Sequence, residues 1–303
     1  MSEQQDLEQR RMALQSGNHG IMRLVRKRIF FETTDAARQG FCKAGGRKVR
    51  LPDPEPMMRG TVFYRDPGPV DVPARPNPTS VEVCNEDSLC AAQRLTEEGF
   101  RPVVLNFANR RTPGGGVLDG SGAQEESIFR RTNVFLSLYQ FHCNGELFDV
   151  PQRPERYPLD RETGGVYTPD AIVFRGPESE GCPFLAHPFR TSVATVAALN
   201  RPDLADLDEL APDMVPPTLS RMRSIFRIAL LHGHDALILG AWGCGAFRNP
   251  PRHIARLFHD VMREDEFRDR FAKIVFAIIE RKGVDDRPHS RGNLRAFQEE
   301  FSA

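Results

Sequence analysis

The sequence predicts an α/β protein: helices on both faces of a largely parallel sheet, preceded by a mainly helical N-terminal extension. Three observations carry this reading. From Ser80 onward, short apolar runs alternate with stretches of helical periodicity. Several of those runs are continuously apolar, the pattern of strands buried on both faces. Two glycine-rich loops, after "VVLNF" and after "ALILG", each follow a strand pattern. In open parallel sheets ligands bind beyond the carboxyl ends of the strands, and both loops fall at that edge.

The elements follow in order. The first forty residues place Met12, Leu14, Ile21, Leu24, Val25 and Ile29 at helical spacing among many charges. "LPDPEPMMRG" and "DPGPVDVPARPNP" come next, where proline blocks helix and central strand alike. Residues 1–79 therefore read as an extension and looping connection packed on a main domain, 80–303. Strands are expected at 80–84, 102–107, 171–176, 192–199, 236–242 and 273–279. Helices are expected at 86–98, 122–140, 217–233, 252–268 and 290–301.

Composition narrows the function classes. The 303 residues suffice for a real core. Lysine plus arginine equals aspartate plus glutamate, 41 each, so no whole-protein field draws nucleic acid or a membrane surface. Any anionic ligand must be held by a local site. The N-terminus "MSEQQDLEQRRMALQ" lacks the apolar run of a signal peptide, and no run of about 18 apolar residues occurs. The six cysteines are scattered without a CxxC pair, which fits a reducing cytosol. A soluble cytoplasmic protein is expected. The eight histidines form no HExxH or His/Cys cluster. "HGHD", 232–235, reads as a helix C-terminus capped by Gly233 rather than as a metal site. Neither a metal nor another cofactor is expected.

The chemistry concentrates in the two loops. "LGAWGCGAFRNPP", 239–251, joins a strand to a helix starting near Pro251 or Arg252. Its glycines let backbone N–H groups approach anionic oxygens, and a pyrophosphate is the natural guest. It is not a GxGxxG motif, because Arg248 stands at the third glycine. Nor is it a P-loop, because Gly245-Ala246 replaces Gly-Lys. In "NFANRRTPGGGVLDGSGAQEE", Asn106 and Asn109 end a strand, where their amides either reach ribose hydroxyls or close a turn. Ser121 and Gln124 have the spacing of a capping box, placing Gln124, Glu125 and Glu126 in a first helical turn. Adjacent helical residues point about 100° apart, so the two carboxylates are not expected to converge on one atom. One should move a proton while the other holds or tunes. With Gly114, Gly115 and Gly116 upstream, the stretch suggests a cleft where backbone amides hold phosphates and a carboxylate faces the adjoining sugar.

This stretch resembles the GGG-x(6–8)-QEE signature of the poly(ADP-ribose) glycohydrolases, enzymes of macrodomain fold. "GAWGCGAF" resembles their phosphate-binding loop. "VYTPDAIVFRG", "SVATVAALN" and "RGNLRAFQEEF" are similar to the shorter microbial branch. The resemblance spans about residue 80 to the end. It implies a three-layer macrodomain with a mixed, largely parallel sheet. It implies Glu126 as catalytic acid/base, with Glu125 orienting the ribose. Gly114, Gly115, Gly116 and Gln124 fall on the loop around the scissile ribose, and Asn109 on an asparagine contacting its hydroxyls. Gly243, Cys244, Gly245 and Ala246 fall on the diphosphate loop, and Phe247 on the aromatic that positions the terminal ribose. Asn106 stands where that family often has an acid, and the tyrosine loop of the vertebrate-type enzymes has no counterpart.

The implied substrate is poly(ADP-ribose) on modified proteins, cleaved at ribose–ribose O-glycosidic bonds to release ADP-ribose, in the setting of DNA-damage signalling. A monomer is expected, with no direct nucleic-acid or membrane partner. Two alternatives stand beside this: an ADP-ribose-binding module without turnover or a mono-ADP-ribosyl hydrolase, and a nicotinamide-dependent oxidoreductase. The failed GxGxxG speaks against the last.

Overall fold

The computed structural model of the chain describes residues 3–280 and 292–302. Two helices open it, α1 (Glu3–Gln15) and α2 (His19–Gln39). Asn18 caps α2 by accepting the Ile21 N–H at 3.2 Å, and left-handed Gly40 ends it. The hairpin β1 (Phe41–Ala44) and β2 (Arg47–Arg50), α3 (Glu55–Gly60) and β3 (Val62–Tyr64) follow. None of these four was expected from the sequence. Then come β4 (Ser80–Cys84), α4 (Ser88–Glu97), β5 (Pro102–Phe107), α5 (Gln124–Arg131) and α6 (Val134–Leu138). The long strands β6 (Gly165–Arg175) and β7 (Phe184–Val196) precede the short pair β8 (Leu204–Asp206) and β9 (Glu209–Leu210). The chain closes with α7 (Val215–Leu231), β10 (Ala236–Leu239), α8 (Pro251–Arg263), β11 (Lys273–Ala277) and α9 (Asn293–Phe301). Residues 290 and 291 of the expected last helix lie outside the described residues.

A seven-stranded sheet has the order β3-β6-β7-β5-β10-β11-β4, flanked by helices. The pairs β5–β10, β10–β11 and β11–β4 are parallel. Because β5 and β10 are parallel neighbours, their carboxyl ends open on the same sheet edge, as the alternation of elements requires.

Three departures from the sequence reading have local causes. The helix expected at 122–140 is two helices, because Thr132 and Asn133 offer the backbone other partners. Thr132 Oγ1 accepts from the Val134 N–H, Asn133 Oδ1 accepts from the Ile172 N–H, and Thr132 bridges to Val173. Strand β6 begins six residues before 171, running through Pro169 and a left-handed Asp170 that read as strand breakers. Strand β7 begins at Phe184 rather than 192, since its first half is partly exposed and lacks a continuous apolar run.

The chain groups into two compact units. The first comprises residues 1–62, 108–158 and 168–192, and the second 63–107, 159–167 and 193–303. In the first, Phe30 of α2 packs its ring against Phe129, Phe135 and Phe148 at 5.8–6.5 Å between centroids. In the second, Phe226 of α7 packs against Phe258, Phe267 and Phe271, and Phe276 of β11 holds Phe297 and Phe301 of α9. Helix α8 buries His253, Ile254, Ala255, Leu257, Phe258 and Val261, one apolar stripe at helical period. Among the described residues, no helix is long and apolar enough to cross a membrane.

Candidate active site

One candidate loop lies in the first unit, between Ala108 and α5. Asn109 closes a turn there, its Oδ1 accepting the N–H groups of Arg111 and Thr112 at 2.9 and 3.1 Å. Its carbonyl thus does the turn work that the sequence left open, which leaves the amide Nδ2 for other contacts. The Asn109 and Gly114 N–H groups donate to the two oxygens of Glu125, at 2.7 and 3.0 Å. The Gly116 and Ala123 N–H groups donate to the two oxygens of Glu126, both at 2.9 Å. The pair is not a solvated helix end: Glu125 is 3% exposed and Glu126 7%. Both sit in the first turn of α5, where the helix dipole favours negative charge.

This geometry corrects three expectations. Helix α5 is capped at Ala123, not Ser121, and the reciprocal half of the cap comes from the Glu126 carboxylate on the Ala123 N–H. The N–H groups of the glycine triplet are committed inside the protein, Gly114 to Glu125, Gly115 to Thr112 O at 3.0 Å and Gly116 to Glu126. They do not face a phosphate. The two carboxylates also come to one place: a Cβ on Gly115 would lie 2.6 Å from Glu126 Oε1 and 3.1 Å from Glu125 Oε2. Glutamate has three side-chain torsions, enough to undo the 100° divergence of the backbone.

Each glycine of the triplet answers to its neighbours. A Cβ on Gly114 would lie 2.6 Å from the Phe129 ring, and one on Gly116 2.4 Å from Ser121 Oγ. Gly114 and Gly115 also hold φ of +80° and +53°, where side chains are strained. The triplet is thus a socket for α5. Gln124 is half-buried at the first position of that helix.

Sequence reasoning missed the support behind α5. Arg130, one turn after Glu126, is fully buried and donates to Ser121 O at 2.6 Å and Glu178 Oε2 at 3.2 Å. Arg26 of α2 grips the same Glu178 with two bonds, at 3.0 and 2.6 Å. Burial pulls the Arg130 guanidinium below its ordinary value, against the pull of Glu178. The spacing of Arg130 from Glu126 was visible in the sequence, but Glu178 gave no signal.

The other candidate loop lies in the second unit, after β10. Gly240 packs under Ala277 O and the Phe107 ring, either within 2.8 Å of an added Cβ. Trp242 is buried and donates its Nε1–H to Val196 O at 3.0 Å. Gly243 has φ +77° and no room beside Asn249 and Ala198, and Asn249 Nδ2 donates to Leu199 O and Gly243 O. Gly245 is different. A Cβ there meets nothing within 4 Å, and its φ lies outside the left-handed region. Gly245 and Ala246 are exposed and Phe247 half-buried. Among the described residues, the N–H groups of Gly245, Ala246 and Phe247 have no acceptor. Such a run of outward N–H groups suits anionic oxygens. The Phe247 ring stacks on no other aromatic among the described residues, so it is not a core ring. Desolvation pushes the Cys244 thiol well above its ordinary value, which makes it a neutral lining group rather than a nucleophile.

The histidines of "HGHD" have structural partners. His232 Nε2 pairs with the Tyr64 hydroxyl and His234 Nε2 with the Tyr167 hydroxyl, each at 2.9 Å, and the His232 ring stacks on Tyr167 at 3.5 Å. Gly233, at φ +67°, ends α7 as expected. Among the described residues, Glu82, Cys84 and Glu86 place possible ligand atoms within 4.8 Å of one another, but Arg94 and Lys273 already pair with those carboxylates.

The family model for the catalytic domain of microbial-type poly(ADP-ribose) glycohydrolase (PARG) matches residues 31–176. The crystal structure of poly(ADP-ribose) glycohydrolase from Thermomonospora curvata is similar at 32% identity and a TM-score of 0.75, covering 91% of this chain and 99% of that one. The chain belongs to the microbial-type poly(ADP-ribose) glycohydrolase family. That family's activity is that of a glycosidase. A second structure of the Thermomonospora curvata glycohydrolase, bound to the inhibitor ADP-HPD, is similar at 32% identity and a TM-score of 0.73, over 91% and 99% of the two chains. The Deinococcus radiodurans glycohydrolase in complex with ADP-ribose is similar at 29% identity and a TM-score of 0.62, over 83% and 98%. No curated protein matches the chain. The family-model match contains Asn109, the glycine triplet and both glutamates, and it begins well upstream of the residue-80 start read from the sequence.

Proposed function

We propose that the chain hydrolyses poly(ADP-ribose) at its ribose–ribose O-glycosidic bonds, with Glu126 as the acid and base and Glu125 orienting the ribose. The observation that carries this is the pair of buried carboxylates, each held by two backbone N–H groups at the end of β5. Fixing both oxygens removes rotamer freedom, so the groups meet a sugar already aligned. The protonated Glu126 carboxyl gives its proton to the departing 2′-oxygen as the C1″–O bond breaks and the bonding pair leaves with that oxygen. The sugar becomes an oxocarbenium-like cation beside the Glu125 carboxylate. A water molecule then attacks C1″ and yields its proton to Glu126, which restores the acid.

The roles of the two loops divide. Since the triplet's N–H groups are committed inside the protein, the diphosphate falls to the run Gly243, Cys244, Gly245, Ala246 and Phe247, with the Phe247 ring against the terminal ribose. Gln124 and the free Asn109 amide contact the ribose at the cleaved bond. The cellular substrate is the polymer carried by modified proteins, in a reducing cytoplasm and the setting of DNA-damage signalling, and the chain acts as a monomer. The test is incubation with poly(ADP-ribose) and identification of the product by mass. Free ADP-ribose supports the reading; intact polymer with ADP-ribose binding preserved would leave a binding module instead.

A further inference from the structure

Two arginines beside the second loop stand where glycine would fit better. Outside glycine, six described residues have positive φ, and three of them are aspartates, whose short polar side chains tolerate that region. Arg201 and Arg248, at φ +53° and +59°, have no such excuse. They are neighbours through the backbone, since the Arg201 N–H donates to Phe247 O at 2.8 Å and the Arg248 N–H to Gly245 O at 3.1 Å. Both are exposed, and among the described residues neither guanidinium has an ion-pair or hydrogen-bond partner.

The loop inverts the usual placement. It carries glycine at 245, which neither packing nor φ demands, and arginine at 248, where φ alone favours glycine, as it does at Arg201 beside the loop. Backbone hydrogen bonds hold both residues in the strained region, yet neither side chain has a partner among the described residues, which points to a use for the side chain outside the fold. Both arginines adjoin the run Gly245, Ala246 and Phe247, whose N–H groups have no acceptor among the described residues and form a local site for negative oxygens. We propose that Arg201 and Arg248 are further substrate-binding residues that clamp the diphosphate of an ADP-ribose unit from the flanks of this loop. The inference rests on the diphosphate assignment above. In a chain with equal numbers of acidic and basic residues, these two charges supply locally what the whole protein lacks. Guanidinium–phosphate bonds are charge-assisted and planar, which gives direction as well as strength.

Glycine substitution separates binding from structure, because the two readings predict opposite signs. Arg201→Gly and Arg248→Gly relieve strain while removing the charge, so the melting temperature should hold or rise. Affinity for ADP-ribose, read by calorimetry, should fall about tenfold for each, as expected for loss of a charge-assisted contact. Affinity for adenosine, which lacks phosphate, should not change. Arg248→Lys keeps charge and strain and should retain most of the affinity. Glycine variants that bind ADP-ribose within twofold of the parent, or a lysine variant as weak as the glycine one, would overturn the proposal. A parent protein that bound no ADP-ribose would overturn the diphosphate assignment itself, and this inference with it.

Discussion

Two glycine-rich loops leave the ends of neighbouring parallel strands, and they use glycine in opposite ways. In the loop after β5, a Cβ on any glycine of the triplet would strike a side chain of the segment that follows, and every triplet N–H is bonded inside the protein. In the loop after β10, Gly245 faces open space and three successive N–H groups have no acceptor among the described residues. The first loop is a socket that holds two carboxylates. The second is a surface that presents donors. The lesson is that glycine content alone does not mark a ligand: the decisive question is what a methyl group would meet.

The largest effect should come from the held carboxylate. Glu126→Gln keeps size and one of the two accepted backbone bonds but removes the transferable proton, so hydrolysis should fall by about 10³–10⁴ while ADP-ribose binding survives. Initial rates on polymer, paired with calorimetric affinity, check this. Retention of more than about a tenth of the activity would falsify the assignment and move the role to Glu125.

Alanine in the two loops tests the contrast directly. Gly114→Ala must displace the Phe129 ring at an already left-handed backbone, so stability should fall by about 1–3 kcal/mol. Gly245→Ala should leave stability within about 0.5 kcal/mol, as for an open surface position. Its added methyl should instead crowd the ligand and weaken ADP-ribose binding several-fold. Denaturant midpoints and calorimetry read both; equal behaviour of the two variants would erase the distinction between socket and surface.

Phe247→Ala should be milder, with reduced turnover and little change in melting temperature, because the ring is half-buried and stacks on no other aromatic among the described residues. A large stability loss with normal activity in the folded fraction would return Phe247 to the core.

The smallest effect lies outside both loops. Desolvation, with His234 nearby, holds His232 down at about 4 in the folded chain, against about 6.5 when unfolded. Between those values the unfolded chain takes up a proton that the folded chain refuses. Stability should therefore decline as pH falls from about 6.5 toward 4, with no contribution from this group above that window. Thermal melts across the range should show a shallower decline for His232→Gln.

Much of this was legible in the residues themselves. The alternation of apolar runs and helical stretches placed β4, β5, β10 and β11 to within a few residues, and for β5, β10 and β11 the reason is that buried parallel strands announce themselves by composition. The adjacency of a glycine triplet to Glu125 and Glu126, and the glycines after β10, marked both loops. What was missed is non-local. The short β3 is set by a partner distant in sequence, and β6 passes through a proline and a left-handed aspartate that local rules read as an ending.

The sequence by itself determined which residues could do chemistry: two adjacent glutamates at a helix start, bare backbone nearby, and no metal-ligand spacing. Only the tertiary structure decided how they are held. Hydrogen bonds from Asn109, Gly114, Gly116 and Ala123 turn two diverging side chains toward one glycine, and a buried Arg130–Glu178–Arg26 chain braces the helix beneath them. The physical reason is that a pattern in sequence specifies residue types and local periodicity. The partner of each buried N–H and carboxylate depends instead on which segments the fold brings within about 3 Å of one another.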